Sequence, residues 1–313
     1  MDHPLLHKVD QKLRYLLRTD IPSLRPLVDH FMQTRGKGVR PLLVLLCGEI
    51  AASPVNQSID LAAAVELLHM ASLVHDDLVD HSDLRRQQAT IHRLWGERAA
   101  VLVGDYFFGK MLRVISAYPP AVPLFAAVIE HLVGGEFLQA DQQYDAWLPE
   151  TEYLNRIYHK TAFFMANCCK IGCLPGHLAA KKSEALTRFG YCLGMAYQLW
   201  DDLQDILETP DAIGKPVMQD VARGVYTLPY LHAFQYANRH FSSDSDKHQI
   251  PRESIAYTAG LAAQYIEKSA RSLSALPPSN AKNGLLQIAW RLKTKIEQLH
   301  SLQEADRHAP SLD

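Results

Sequence analysis

Apolar residues recur at three- and four-residue spacing along almost the whole chain, and that rhythm restricts it to helices. Leu61, Val65, Leu68 and Ser72 form one such run, and Phe189, Leu193, Ala196 and Trp200 another. One face of a helix repeats every 3.6 residues, whereas the two-residue alternation of a half-buried strand is almost absent. The expected fold is all-α. Helix stops and turns fall at Gly36 to Gly38, Pro119-Pro120, Pro149, Pro175-Gly176, Pro210 to Pro216 and Pro277-Pro278. With 313 residues, 48% of them apolar, the chain can bury a substantial core. The one long polar connection, residues 238–251, reads as a mobile loop inside a single domain spanning residues 1–313. No fixed-period repeat appears, but each half contains an Asp-Asp-x-x-Asp element behind an apolar helical run.

Those elements are Asp76-Asp77-Leu78-Val79-Asp80 and Asp201-Asp202-Leu203-Gln204-Asp205. On a helix, carboxylates three and four apart share a face and repel by a few tenths of a kcal/mol per pair. The run before the first, Val65 to His75, is mostly apolar, so the cluster ends a buried helix; Met195 to Trp200 does the same for the second. Oxygen-only ligands favour a hard divalent ion. Mg²⁺ commonly takes one or two carboxylates and completes its shell with water and phosphate oxygens, which suits a substrate diphosphate.

Lysine plus arginine (32) nearly balance aspartate plus glutamate (34), so no global field favours nucleic acid, and any anion site must be local. Local cations are available. Lys37 and Arg40 flank a glycine turn that allows close backbone approach to an anion. Arg85-Arg86 follow the first aspartate cluster with planar forks for phosphate oxygens, and Lys160-Thr161 and Lys215 offer charge for the second. Five cysteines without paired metal-ligand spacing fit reduced thiols in a cytoplasmic protein. Cys168-Cys169-Cys173 reads as core packing, with a metal site as the alternative. No basic segment followed by an apolar run opens the sequence, and no stretch is expected to reach membrane-span length.

Together these stretches resemble the trans-prenyl diphosphate synthases. The match runs in the family's order through residues 36–41, His69 to Asp80 with Arg85-Arg86, Gly104-Asp105-Tyr106, Lys160-Thr161-Ala162, Gln198 to Asp205, and Gly214-Lys215-Pro216 through Thr227-Leu228-Pro229. Within the family the chain is similar to the larger, catalytic component of bacterial heptaprenyl diphosphate synthases, through Glu66 to Asp77 and Phe189 to Asp202. The resemblance implies an isoprenoid-synthase-type helical bundle around a central apolar cavity, and a reaction of isopentenyl diphosphate with an allylic diphosphate. It implies Mg²⁺ on Asp76, Asp80 and Asp201, with Asp77, Asp202 and Asp205 in support. Arg85, Lys160, Thr161, Gln198 and Lys215 would hold the allylic diphosphate; Lys37, Arg40, His69 and Arg86 would hold isopentenyl diphosphate. By itself His69 reads as a satisfied core histidine. The resemblance further implies a homodimer, or a heteromer with a small partner subunit, and peripheral membrane contact when product leaves.

Departures from the family follow the arginines, where Gln87 and Ala89 stand in place of the usual glycine and proline. Met218 replaces a usual glycine and Val225 a frequent lysine. Ala71 and Ser72, small residues just before Asp76, imply room for a long product, since bulky aromatics there stop growth early in short-chain enzymes. Two other readings share the metal clamp or the fold. A class I terpene cyclase would not need Lys37, Arg40, His69 and Arg86, and a non-catalytic regulatory subunit would not keep all six aspartates.

Overall fold

The computed structural model describes residues 3–33, 36–207, 219–236 and 250–305, and they are almost entirely helical. In chain order the helices are α1 (Pro4–Leu16), α2 (Arg25–Gln33), α3 (Val39–Ile50), α4 (Val55–Val79), α5 (Ile91–Trp95), α6 (Glu97–Ile115) and α7 (Val122–Asp141). There follow α8 (Glu150–Ile157), α9 (Phe163–Cys173), α10 (Ala180–Leu207), α11 (Gln219–Ala222), α12 (Leu228–Tyr236), α13 (Arg252–Ser272) and α14 (Asn280–Ala305). A π-helical turn, Tyr158–Ala162, joins α8 to α9. Lys215, Met218 and nearly all of the polar connection at 238–251 lie outside the described residues.

The chain forms two compact units. The first contains the residues up to Val128, with Asn167–Thr187 and Pro278–Lys282; the second contains Ile129–Ala166, Arg188–Pro277 and the residues from Asn283 onward. In the first unit α4 is the central element, packed chiefly against α6, α3 and α1. Apolar residues cover most of its faces, and Leu61, Val65, Leu67, Leu68 and Ala71 are wholly enclosed. A helix apolar on nearly all sides is stable only in such a position. In the second unit, α12 packs on α13, and Tyr153, Phe164, Phe189 and Tyr230 supply the largest enclosed rings.

The expectation about membrane-span length is corrected here. By length and composition two helical stretches, Val55–Val79 and Pro119–Asp141, are long and apolar enough to cross a membrane. The first is α4, mostly buried inside its unit, and a core helix meets the same criterion. The five cysteines are all buried and free, and among the described residues no cluster of three His, Cys, Asp or Glu side chains is arranged to hold a metal ion. The thiols pack the core.

The end of α4 determines what comes next. After Asp80 the chain enters the left-handed region at His81 (φ 47°), with His81 N–H donating to Leu78 C=O and Ser82 N–H to Asp77 C=O. This is the Schellman pattern that closes a helix and reverses the chain. A two-stranded antiparallel ribbon follows, β1 (Leu84–Arg85) and β2 (Gln88–Ala89), with Leu84 opposite Ala89 and Arg85 opposite Gln88. Its two-residue turn places Arg86 at φ 52° and Gln87 at φ 64°. Tight hairpin turns need positive φ at both central positions and favour glycine at the second. That explains why glycine is usual where this chain has Gln87.

Holding a side chain in the left-handed region costs about 1–2 kcal/mol, while glycine adds unfolded-state entropy of about 0.4–1 kcal/mol. Gln87→Gly is therefore expected to stabilise the protein by about 0.5–1 kcal/mol, read as a higher urea midpoint at unchanged slope. A lowered midpoint would show that the Gln87 side chain contributes more than its backbone strain costs.

Candidate active site

Although α4 is buried nearly all round, one stripe stays partly open. Glu66, His69, Leu73, Asp76 and Asp80 are half-buried, at the alternating three- and four-residue steps of one helix face. The first cluster sits in the last turn of α4, where the helix dipole is negative and carboxylates are disfavoured. Asp76 and Asp80 lie on the stripe, whereas Asp77 turns inward and is buried.

Asp77 is neutralised by the hairpin. Arg85 Nε donates to both carboxylate oxygens at 2.7 and 2.8 Å, and Arg85 Nη2 stands 2.6 Å from Oδ1. Burial still pushes the Asp77 carboxyl above its usual range, against the pull of Arg85. In this structure, then, Arg85 is a partner of Asp77, where the resemblance assigns it to the allylic diphosphate. The carbonyl of Ala89, which takes the place of the usual proline, lies 2.7 Å from His30 Nε2 and ties the ribbon to α2.

Higher on the stripe, Arg40 Nη1 donates to His69 Nε2 at 3.0 Å. Arginine can only donate, so Nε2 accepts and the ring hydrogen belongs on Nδ1. Burial, helped by the positive charges of Arg40, Arg85 and Arg86, holds the His69 pKa well below the usual histidine value, and the ring is neutral. Arg86 lies across the backbone at Gly36, where a Cβ would come within 2.6 Å of its guanidinium. Gly36, Glu66, His69 and Arg86 line one small pocket together with Phe31 and Leu73. Three of the four residues expected for one diphosphate, Arg40, His69 and Arg86, are thus brought together; Lys37 is exposed, two residues before α3 begins. Ala71 is fully enclosed, off the stripe. Ser72 borders it, half-buried, with its hydroxyl donating to His69 C=O at 2.9 Å.

The second unit organises its residues around the π turn. One extra residue in the helix displaces Lys160 and Thr161 from the regular ladder, a feature often found at functional sites. Two helices close on this turn at glycines. A Cβ on Gly135 of α7 would lie 3.0 Å from Lys160 N, and one on Gly194 of α10 would lie 2.6 Å from Ala162 Cα. From α7, Glu136 pairs with Lys160 Nζ at 2.9 Å and Gln139 accepts from it at 2.8 Å. From α10, Gln198 Oε1 accepts from Thr161 Oγ1 at 2.7 Å while its Nε2 donates to Asp202 Oδ1 at 2.9 Å. The other Asp202 oxygen accepts from the Tyr153 hydroxyl. Burial raises the Asp202 carboxyl to about 7, opposed by these two hydrogen bonds. Asp201 is exposed and Asp205 buried.

Glu136, Gln139 and Tyr153 were not singled out from sequence. The pair Gly134-Gly135 inside a helix was an available signal, since glycine there costs about 1 kcal/mol each and calls for a close approach. As for a metal, Asp76 and Asp80 on the first unit are half-open and Asp201 on the second is exposed, as suits carboxylates that would each give an ion only part of its shell; Asp77 pairs with Arg85 and Asp202 with Gln198 and Tyr153.

A family model described as polyprenyl synthetase matches residues 21–253. Heptaprenyl diphosphate synthase component 2 of Bacillus subtilis (strain 168) is 32% identical over 296 residues, covering 90% of this chain and 85% of that one. The crystal structure of heptaprenyl diphosphate synthase from Staphylococcus aureus superposes with a TM-score of 0.86 at 28% identity, covering 92% of this chain and 96% of that one. A polyprenyl synthase from Caulobacter crescentus CB15, complexed with calcium and isoprenyl diphosphate, gives a TM-score of 0.85 at 29% identity, covering 92% and 94%.

Removing one partner of a buried ion pair costs roughly 3–5 kcal/mol. The Arg85 side chain is 31% exposed, which lowers that figure. Arg85→Met is expected to destabilise the fold by about 2 kcal/mol, and Asp77→Asn in the same background to recover part of the loss. A melting temperature unchanged in Arg85→Met would mean that the pair does not hold the hairpin to α4.

Proposed function

The chain belongs to the polyprenyl synthetase family, and from that membership we propose how its residues divide the work. It is a trans-prenyltransferase that makes a long-chain polyprenyl diphosphate. The proposed reaction ionises an allylic diphosphate, joins the resulting cation to the double bond of isopentenyl diphosphate and loses a proton to the departing diphosphate. The observation that carries this reading is the open stripe of α4, which puts neutral His69 and its arginines on the same face as Asp76 and Asp80.

Asp76, Asp80 and Asp201 are proposed to hold Mg²⁺, which when bound supplies Lewis acidity to the leaving diphosphate. Asp77 and Asp202 act behind them: one fixes Arg85, the other fixes Gln198. Asp205, buried on the same helix, completes that support. Lys37, Arg40, His69 and Arg86 bind the diphosphate of isopentenyl diphosphate. A neutral His69 offers a hydrogen without adding a titrating charge, and the guanidiniums supply planar forks. Lys160, Thr161 and Gln198, with Lys215, would bind the allylic diphosphate, and Arg85, which the resemblance assigns to the same group, would add its charge. The cation pocket beside His69 favours a synthase over a terpene cyclase, which binds no second diphosphate. Six retained aspartates favour it over a regulatory subunit.

The relatives named as component 2 support a small partner subunit for this chain, and the product is proposed to be of heptaprenyl class. Growth is limited beside the stripe. Ser72, half-buried and one turn before Asp76, is better placed to meet a growing chain than enclosed Ala71. With farnesyl and isopentenyl diphosphates, product chromatography is expected to show heptaprenyl-class chains for the native protein and chains of about farnesyl to geranylgeranyl length for Ser72→Phe. Ala71→Phe shortens chains only to the extent that it still folds, since overpacking a closed site costs about 1–3 kcal/mol. Unchanged long products from an active Ser72→Phe enzyme would overturn the placement.

A further inference from the structure

We propose that Tyr153 is a positioning residue for the allylic diphosphate: acting through Asp202 and Gln198, its hydroxyl sets the orientation of Thr161. The inference rests on the assignment of Thr161 and Gln198 to that substrate.

The four residues form one unbranched run. Tyr153 Oη donates to Asp202 Oδ2 at 2.5 Å, Gln198 Nε2 donates to Asp202 Oδ1 at 2.9 Å, and Thr161 Oγ1 donates to Gln198 Oε1 at 2.7 Å. From both ends the hydrogens point toward Asp202. With Tyr153 donating to one Asp202 oxygen, the other accepts from the Gln198 amide nitrogen, which leaves the Gln198 oxygen facing Thr161. The carboxylate thereby dictates which way the glutamine faces, and the glutamine dictates where the threonine hydroxyl is tethered.

The far end of the run is anchored in the interior. The Tyr153 ring is completely enclosed, and the Arg156 guanidinium lies over it, 5.4 Å from its centroid. Arg156 is buried in turn and donates to Gln142 Oε1 at 3.1 Å and Tyr226 C=O at 2.7 Å. Tyr153 is therefore held by protein alone, independent of any substrate. The near end is the π turn, where the backbone leaves the regular ladder and a side-chain bond has most to fix. Without the Tyr153 hydroxyl, Asp202 would keep one hydrogen bond in a closed site and rotate to recover another. Gln198 would then be released to turn over, and Thr161 would lose its acceptor.

Tyr153→Phe removes one oxygen and keeps the ring. In steady-state assays with saturating Mg²⁺, KM for farnesyl diphosphate is expected to rise about tenfold, the effect of losing roughly one hydrogen bond. KM for isopentenyl diphosphate should stay within about twofold, since its residues lie outside the run. Thr161→Val should raise the same farnesyl diphosphate KM, and the double variant should be no worse than Thr161→Val alone. Equal rises for both substrates, a fall in kcat with both KM values unchanged, or a double variant whose effect is the product of the two single ones would overturn the proposal. Should Tyr153→Phe fail to fold, Asp202→Asn takes its place. It keeps the size but lets the Gln198 amide reverse, and the same substrate bias and non-additivity are expected. The control is Asp201→Ala: turnover retained there refutes the function on which the inference rests, whereas a dead Asp201→Ala beside a Tyr153→Phe enzyme with native KM values refutes the role of Tyr153 alone.

Discussion

A helix buried on most sides can carry charge only where its burial is interrupted or where a partner meets the charge inside, and α4 does both: Arg85 meets buried Asp77, and the other two aspartates of the cluster lie on a partly open stripe. Asp76 and Asp80 occupy its C-terminal end, His69 and Glu66 its middle. The same helix is the packing centre of its unit. One element therefore holds the core together and sets the direction of the chemical groups. Displacing it to relieve carboxylate repulsion would cost far more in burial than the few tenths of a kcal/mol gained per pair. The site is held in a charged arrangement that it would not adopt by itself.

Both units control their carboxylates in the same way, by engaging the second aspartate of the cluster from inside the protein. Arg85 takes Asp77, and Tyr153 with Gln198 takes Asp202. The first and third members differ: Asp76 and Asp80 are half-open, Asp201 exposed, Asp205 buried. The proposed division of labour follows these exposures: the open carboxylates for the metal, the engaged ones for fixing neighbouring side chains. His69 is likewise controlled by its surroundings, since desolvation, with the arginines adding to it, lowers its pKa and keeps it neutral.

Much of this was legible in the sequence, for physical reasons. Both α4 and α10 are long enough to be recognised, α4 as a nearly unbroken apolar run and α10 by Phe189, Leu193, Ala196 and Trp200 at helical spacing, and the aspartate spacing needs only a helix to acquire meaning. Lys37, Arg40, His69 and Arg86 were expected together; Arg40 is hydrogen-bonded to His69, and His69 and Arg86 line one pocket. What stayed hidden depends on contacts between elements far apart in sequence. The π turn has no period of its own, and Tyr153 looked like any core tyrosine. Glu136 and Gln139 carry no signal of their own in the sequence; only the contact with Lys160 gives them meaning. The pairing of Arg85 with Asp77 required the hairpin turn, which Gln87 and Ala89 obscured by replacing the residues that usually announce it. The expectation about apolar stretches failed because α4 is apolar enough for a membrane and is instead the centre of a core.

The claim that this stripe serves a two-substrate, metal-assisted condensation is tested most directly by measuring diphosphate release. The purified chain, alone and with a candidate small partner subunit, would be given isopentenyl diphosphate, farnesyl diphosphate or both, in Mg²⁺ and after chelation. Release that requires both substrates and Mg²⁺, and that disappears in Asp76→Ala with the helical content intact, is the expected result. Release from farnesyl diphosphate alone, turnover that survives chelation, or an Asp76→Ala enzyme as fast as the native one would contradict it.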